Sequence, residues 1–134
     1  MAVCPTLIKD NLGRIKESSA TITKEMIGTG TRVNNSARAY AKAMGNQGDD
    51  AGHILAKILG GQGGKGNIFP QLKGINRGDY RAFEKQIRDL LKSGSGPLDL
   101  KWSFTYNGKG TRPTGIQYDV FKDGVKILDE LFPN

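Results

Sequence analysis

The sequence predicts an α+β fold with a mainly antiparallel sheet, and three observations predict it. Leu98, Leu100, Trp102 and Phe104, and later Ile116, Tyr118 and Val120, alternate with polar residues at the two-residue period of half-buried strands. Tyr80, Phe83, Ile87, Leu90 and Leu91 recur at helical spacing within residues 79–92. Turn sequences Asn107-Gly108-Lys109-Gly110 and Asp123-Gly124 separate the extended stretches by hairpin lengths.

The elements follow in order. Residues 6–9 and 14–22 read as a hairpin around Lys9-Asp10-Asn11-Leu12-Gly13. Residues 28–35, with Gly28, Gly30 and paired asparagines, read as a loop. Asn35 or Ser36 caps a short helix from about Ala37 to Met44, whose Arg38 and Lys42 suit a solvated face and which Gly45 ends. Residues 45–66 carry eight glycines around Ile54-Leu55-Ala56-Lys57-Ile58-Leu59, a segment too short for a helix and better read as strand or turn. So long a glycine-rich loop in a small domain has a functional reason or is disordered. The helix over 79–92 stops at Gly94, and three strands follow, the last entered at Val125–Leu128.

At 134 residues the chain suits one domain, 1–134, without an internal repeat. The longest apolar stretches are a few residues, too short to span a membrane. Met1-Ala2-Val3-Cys4-Pro5 lacks the basic and apolar segments of a classical signal peptide, which leaves cytoplasmic residence and delivery as part of a secreted protein both open. Twenty Lys and Arg against thirteen Asp and Glu give a net charge of +7. Such an excess draws polyanions by counterion release, and it serves solubility equally well.

Counting removes several chemistries. One histidine, His53, excludes the two-histidine zinc motif of metalloproteases and the paired histidines of pancreatic-type ribonucleases. A lone Cys4 forms no intramolecular disulfide, and a nucleophile beside Pro5 at the terminus is a poor one. Gly60-Gly61-Gln62-Gly63-Gly64-Lys65-Gly66 departs from a P-loop, because Leu59 stands at the first glycine position and Gly66 where Ser or Thr is required.

What remains is one cluster: Asp49-Asp50-Ala51-Gly52-His53, Asn67-Ile68-Phe69-Pro70-Gln71, Asn76-Arg77-Gly78 and Glu84. A neutral imidazole beside a water is a general base. Asparagine oxygens are hard ligands suited to Mg²⁺, which keeps several of its waters. Phosphodiester cleavage needs an activated water, neutralised phosphate charge and a stabilised leaving oxygen, and one base with one Mg²⁺ supplies all three. Glu84 shares the apolar stripe of its helix, where a carboxylate is costly unless paired or engaged by a metal site. Capping by Asn76 and pairing of Glu84 with Arg81 or Arg88 account for the same spacing, and spacing alone leaves both readings open.

The run Asp49 to Ala56, Gly60-Gly61, Asn67 to Gln71 and Asn76 to Glu84 resembles the DNA/RNA non-specific endonucleases of the ββα-metal (His-Me finger) superfamily. The ordered match spans about residues 45–90, with weaker echoes at Asp10…Gly13-Arg14-Ile15, Arg112-Pro113 and Phe132-Pro133-Asn134. The resemblance implies a ββα-metal core with flanking helices. It implies His53 as general base, Asn76 as the protein ligand of Mg²⁺ (with Mn²⁺ as an alternative), Glu84 ordering the metal's waters and Asn67 near the phosphate. Where many members carry an arginine this chain has Ala51, so another basic group must meet the phosphate; Arg77, Arg112, Lys57 and Arg32 are the candidates. Related short domains with Asp-Asp-Ala-Gly-His occur in bacterial secreted toxins, which implies a carrier and an inhibitory immunity protein as partner.

The expected function is therefore metal-dependent, sequence-non-specific hydrolysis of DNA and/or RNA. The competing reading is a non-catalytic, basic nucleic-acid-binding module in which Tyr106, Tyr118 and Trp102 stack on bases. A structural or interaction domain with incidental charge is the third.

Overall fold

The structure, a computed structural model, describes all 134 residues. In chain order the elements are β1 (Thr6–Lys9), β2 (Ile15–Ile22), α1 (Asn35–Met44), β3 (Asp50–His53), β4 (Ile68–Gln71), α2 (Lys73–Arg77), α3 (Asp79–Ser93), β5 (Leu98–Thr105), β6 (Gly115–Lys122) and β7 (Val125–Pro133). Short 3-10 turns lie at Lys24–Met26, Lys57–Leu59 and Lys65–Asn67. The main sheet runs β1-β2-β5-β6-β7, every pair antiparallel, and β3 and β4 form a separate two-stranded ribbon.

The alternation in β5 and β6 decides where the core sits. Trp102 faces Tyr118 and Phe104 faces Ile116 across the two strands, and all four are buried on one side of the sheet. Helix α3 lays Tyr80, Phe83, Ile87 and Leu91 on that side, where rings pack edge to face or tilted with centroids 4.8 to 5.7 Å apart among Tyr80, Phe83, Trp102, Tyr118 and Phe132. Leu90, expected on the same stripe, is 38% exposed. Leu91, four residues after Ile87 and expected on the stripe as well, is buried. This placement also overturns the stacking platform of a binding module: Trp102 and Tyr118 are fully buried, and the Tyr106 hydroxyl is held by the Ile15 carbonyl at 2.7 Å.

The hairpin turn at Asp123-Gly124 has both residues at positive φ, 51° and 79°, the two-residue geometry whose twist matches the flanking strands. Helix α1 starts at Asn35, two residues earlier than its composition suggests. Asn34, not Asn35 or Ser36, accepts from the Ala37 amide at 2.8 Å, because Asn34 is the residue with extended backbone. Ala37 and Ala41 of α1 pack on Ile68 and hold the helix against the β3–β4 ribbon.

The glycine-rich segment is ordered by close backbone approach. A Cβ at Gly61 would overlap the Leu55 carbonyl, and one at Gly63 the Arg32 carbonyl. The loop over 28–34 runs alongside, with Thr31 N bonded to Gly61 O at 3.1 Å and Asn34 N to Gly63 O at 2.9 Å. Asn76 does not cap the long helix: it lies inside α2, which breaks at Gly78 before α3 begins.

An almost buried ion pair ties the ribbon to the main sheet. Arg112, in the turn before β6, grips both carboxylate oxygens of Asp49 at 2.7 and 3.0 Å, with side chains 14% and 6% exposed, and also donates to the Asn134 carbonyl. Removing one partner of such a pair strands the other charge, which costs about 3 kcal/mol. Hydrogen bonds and charge from Arg112 hold the Asp49 carboxyl below its ordinary value of 3.8. Its contribution to stability is thus complete above that ordinary value and disappears as pH falls through the depressed one. Asp49→Asn should therefore lose about 3 kcal/mol in urea unfolding at neutral pH. The gap to the parent protein should narrow below pH 3.8, and a gap independent of pH would show that the pair is not responsible.

Candidate active site

His53 ends β3, where the ribbon carries it to the edge of a cavity of about 420 Å³. Its Nε2 lies 2.9 Å from the Thr31 carbonyl. A carbonyl only accepts, so Nε2 carries the proton and the tautomer is fixed. Nδ1 is left as an unprotonated nitrogen without a protein partner. Burial pushes the imidazole below its ordinary 6.5; the Thr31 bond opposes this, and the positive charge of Lys57 adds to it. His53 is accordingly neutral at neutral pH, as a general base must be.

The same cavity is lined by Lys57, Asn76, Arg81, Glu84 and Lys85. Asn76 donates through Nδ2 to Asp50 Oδ2 at 2.9 Å. Because a carboxylate only accepts, this bond sets the amide's orientation and leaves Oδ1 free of protein donors. Asp50 is in turn gripped by Arg77, Nε to Oδ2 at 2.9 Å and Nη2 to Oδ1 at 3.0 Å. Burial raises the Asp50 carboxyl, but the bonds from Arg77 and Asn76 outweigh it and hold the group below 3.8. Asp50 therefore stays ionised and fixes both neighbours.

Glu84, one helical turn beyond Tyr80 on α3, has no hydrogen-bonded or ion-paired partner; Arg88 pairs with Asp89 instead. Burial pushes the Glu84 carboxyl up to about 8, against the charge of nearby Arg81. An uncompensated carboxyl facing a cavity is a group poised for a cation.

The remaining expected residues fall in different places. Asn67 is fully buried: Nδ2 donates to the carbonyls of Leu55 and Gln62 at 2.9 and 2.7 Å, and Oδ1 accepts from Leu55 N at 2.7 Å. Its amide is spent on shaping the 55–62 loop behind His53, so the structure gives it no face toward a phosphate. Arg112 is likewise committed to Asp49, and Arg77 to Asp50. Lys57 stands at the cavity, while Arg32 is exposed beside Thr31 and lines none of the hollows around the site. Thr31 and Lys85 join the site without having been singled out, and Asp50 and Arg81, named without a role in it, join them. Asp50 lay inside the motif, but nothing local marks Thr31, whose carbonyl arrives from 22 residues away. An apolar cavity of about 340 Å³ among Tyr40, Met44, Phe69, Phe104 and Tyr106 lies apart from this chemistry.

Known proteins resemble the chain in sequence and in fold. It is 51% identical over 134 residues to "Probable deoxyribonuclease RhsA" of Dickeya dadantii, covering all of this chain and 9% of that protein. It is 30% identical over 118 residues to "Type VII secretion system protein EssD" of Staphylococcus aureus, covering 83% of this chain and 19% of that one. The chain thus spans a small part of the curated relatives it matches. Among solved structures, NucA from Streptococcus agalactiae with no metal bound aligns with a TM-score of 0.71 at 15% identity, covering 100% of this chain and 72% of that one. The Sda1 nuclease with bound zinc ion aligns at 0.72 and 16% identity, covering 99% and 76%; at such identities the likeness speaks for the fold. The family described as DNA/RNA non-specific endonuclease matches residues 6–124, nearly the whole ordered architecture around His53, and the chain belongs to that family of phosphodiester hydrolases.

Proposed function

We propose that this domain hydrolyses phosphodiester bonds of DNA and/or RNA without sequence preference, with His53 as the general base. The observation that carries this reading is one cavity holding a neutral imidazole with its proton fixed on Nε2, a free amide oxygen and an unpaired carboxyl. His53 Nδ1 takes a proton from water as that water attacks phosphorus, and the bond to the leaving oxygen breaks. The Thr31 carbonyl holds the ring while its charge develops. Lys57, Arg81 and Lys85 surround the phosphate with positive charge but read no bases, so cleavage follows the backbone and not the sequence.

The residues present fit a hard divalent cation. No three His, Cys, Asp or Glu side chains gather into an all-protein site, whereas Asn76 Oδ1 is aimed by Asp50 and free, and Glu84 is uncompensated. Asn76 would hold Mg²⁺, or Mn²⁺ in its place, and Glu84 would order its waters. Once bound, the ion would neutralise phosphate charge and stabilise the leaving oxygen. The relatives, of which the chain matches 9% and 19%, support a toxin-type domain delivered within a longer secreted protein and restrained in the producing cell by an immunity protein.

Plasmid and single-stranded RNA should be cut with Mg²⁺ and left intact with EDTA, and His53→Ala should lose at least about a hundredfold in rate. Cleavage surviving both changes would dispose of the mechanism, and binding without cleavage by the parent protein would favour a non-catalytic module. Asp50→Asn should raise the Mg²⁺ concentration for half-maximal rate by about tenfold, because the outer partner of a ligand sets its orientation. An unchanged Mg²⁺ requirement would mean that Asn76 needs no such support.

The pH profile follows from the neutral base. Acid protonates Nδ1, so the acidic limb of kcat/KM should lie below 6.5. Lys57→Gln removes a cause of the depression and should move that limb to higher pH. A limb that stays in place would assign it to another group.

A further inference from the structure

Four of the seven arginines are neutralised by carboxylates: Arg14 by Asp10, Arg77 by Asp50, Arg88 by Asp89 and Arg112 by Asp49. Arg32, Arg38 and Arg81 have no acidic partner. Two of these three line one hollow. It has a volume of about 540 Å³, opens between α1, β3 and the α2–α3 junction, and is lined by Arg38, Asp50, Ala51, Asn76, Arg77 and Arg81. It shares Asn76 and Arg81 with the His53 cavity, so the two are continuous. On its far side, Arg38 and Ala51 also border a third hollow beside Lys42, Asn46 and Asp49. A groove therefore leads from His53 past Asn76 to the foot of α1, with a methyl group, that of Ala51, at its midpoint.

Of the carboxylates along this groove, Asp49 and Asp50 are consumed by Arg112 and Arg77, and Glu84, near Arg81, forms no ion pair with it. Asp49 and Asp50 neutralise those arginines and leave Arg38 and Arg81 as the groove's guanidinium groups outside any ion pair. The only side-chain bond of Arg38 is to the neutral Asn35 Oδ1, at 3.2 Å, which steadies the side chain without cancelling its charge. An isolated guanidinium recognises a phosphate through two parallel N–H donors, and two of them bordering one open hollow select a tetrahedral anion that stays solvated.

We infer that Arg38 and Arg81 form the phosphate clamp of this domain. Arg81 sits where the His53 cavity meets the hollow, and Arg38 holds the backbone phosphate adjoining the one that is cut. The inference rests on the nuclease reading of the His53 cavity. It assigns the contact that Ala51 does not make to a helix-borne residue, and not to Arg77, Arg112 or Arg32.

Binding of a short labelled duplex to His53→Ala protein in EDTA, measured across a salt series, separates the two claims. Arg38→Gln and Arg81→Gln should each weaken binding about tenfold at low salt. Each should also flatten the slope of log affinity against log salt by about 0.9, the signature of one lost phosphate contact. Lys126→Gln, the same charge change on β7 outside the groove, should leave the slope within error of the parent. Arg38→Glu should weaken binding further than Arg38→Gln. If the active parent cuts nucleic acid while both glutamine variants keep its slope, or lose no more than Lys126→Gln, the clamp is overturned and the nuclease reading stands. If the parent neither binds nor cuts, the nuclease reading falls and the clamp with it.

Discussion

Two neighbouring carboxylates that point apart hold the active end of this molecule together. Asp49 reaches the main sheet through Arg112, and Asp50 reaches α2 through Asn76 and Arg77. The ribbon that presents His53 would otherwise be a two-stranded hairpin, an arrangement of little stability by itself. Clamped on one side to the turn before β6 and on the other to the helix bearing Asn76, it places the His53 imidazole and the Asn76 amide in a single cavity. Asp49 and Asp50 thus do structural work with charges that look catalytic, and the groups they leave open toward the cavity are a neutral imidazole and a neutral amide.

That division gives the site its electrostatic character. Each acid near the ribbon is already matched by an arginine, so the surplus positive charge of the chain is not spread evenly around the cavity. Around the cavity and its continuation it falls on Lys57, Lys85, Arg81 and Arg38, side chains that form no ion pair. Lys57 adds positive charge at the cavity and helps keep the imidazole uncharged. Glu84 is the exception, a carboxyl with no cation of its own on the protein side.

Much of the fold was legible because period and turn chemistry are local. The strands around Trp102 and Tyr118, the Asp123-Gly124 hairpin and the helix bearing Tyr80 follow from alternation, helical spacing and two turn residues. The ribbon was not legible from pattern alone: its strands are four residues each, and they contain Gly52 and Pro70, so no periodicity develops. Helix α2, five residues long, is missed for the same reason. At the site, the motif marked His53, Asn76 and Glu84, and the structure brings all three to one cavity. It did not reveal that Asn67 is wholly occupied with backbone, or that Arg77 and Arg112 are tied up by acids, because partners are decided by chain segments far apart in sequence. Thr31 is the extreme case, since what it contributes is a carbonyl, a group every residue has.

The glycine-rich stretch has a composition that suggests a slack tether. Its backbone lies so close to the carbonyls of Leu55 and Arg32 that Gly61 and Gly63 have no room for a methyl group. In a saturation library, those two positions would behave like the interior of a hydrophobic core and reject nearly every replacement. A spacer or reporter spliced between Gly60 and Gly64 would displace the strip of chain that carries Thr31 and so misorient the imidazole. Fusion partners belong elsewhere on this domain.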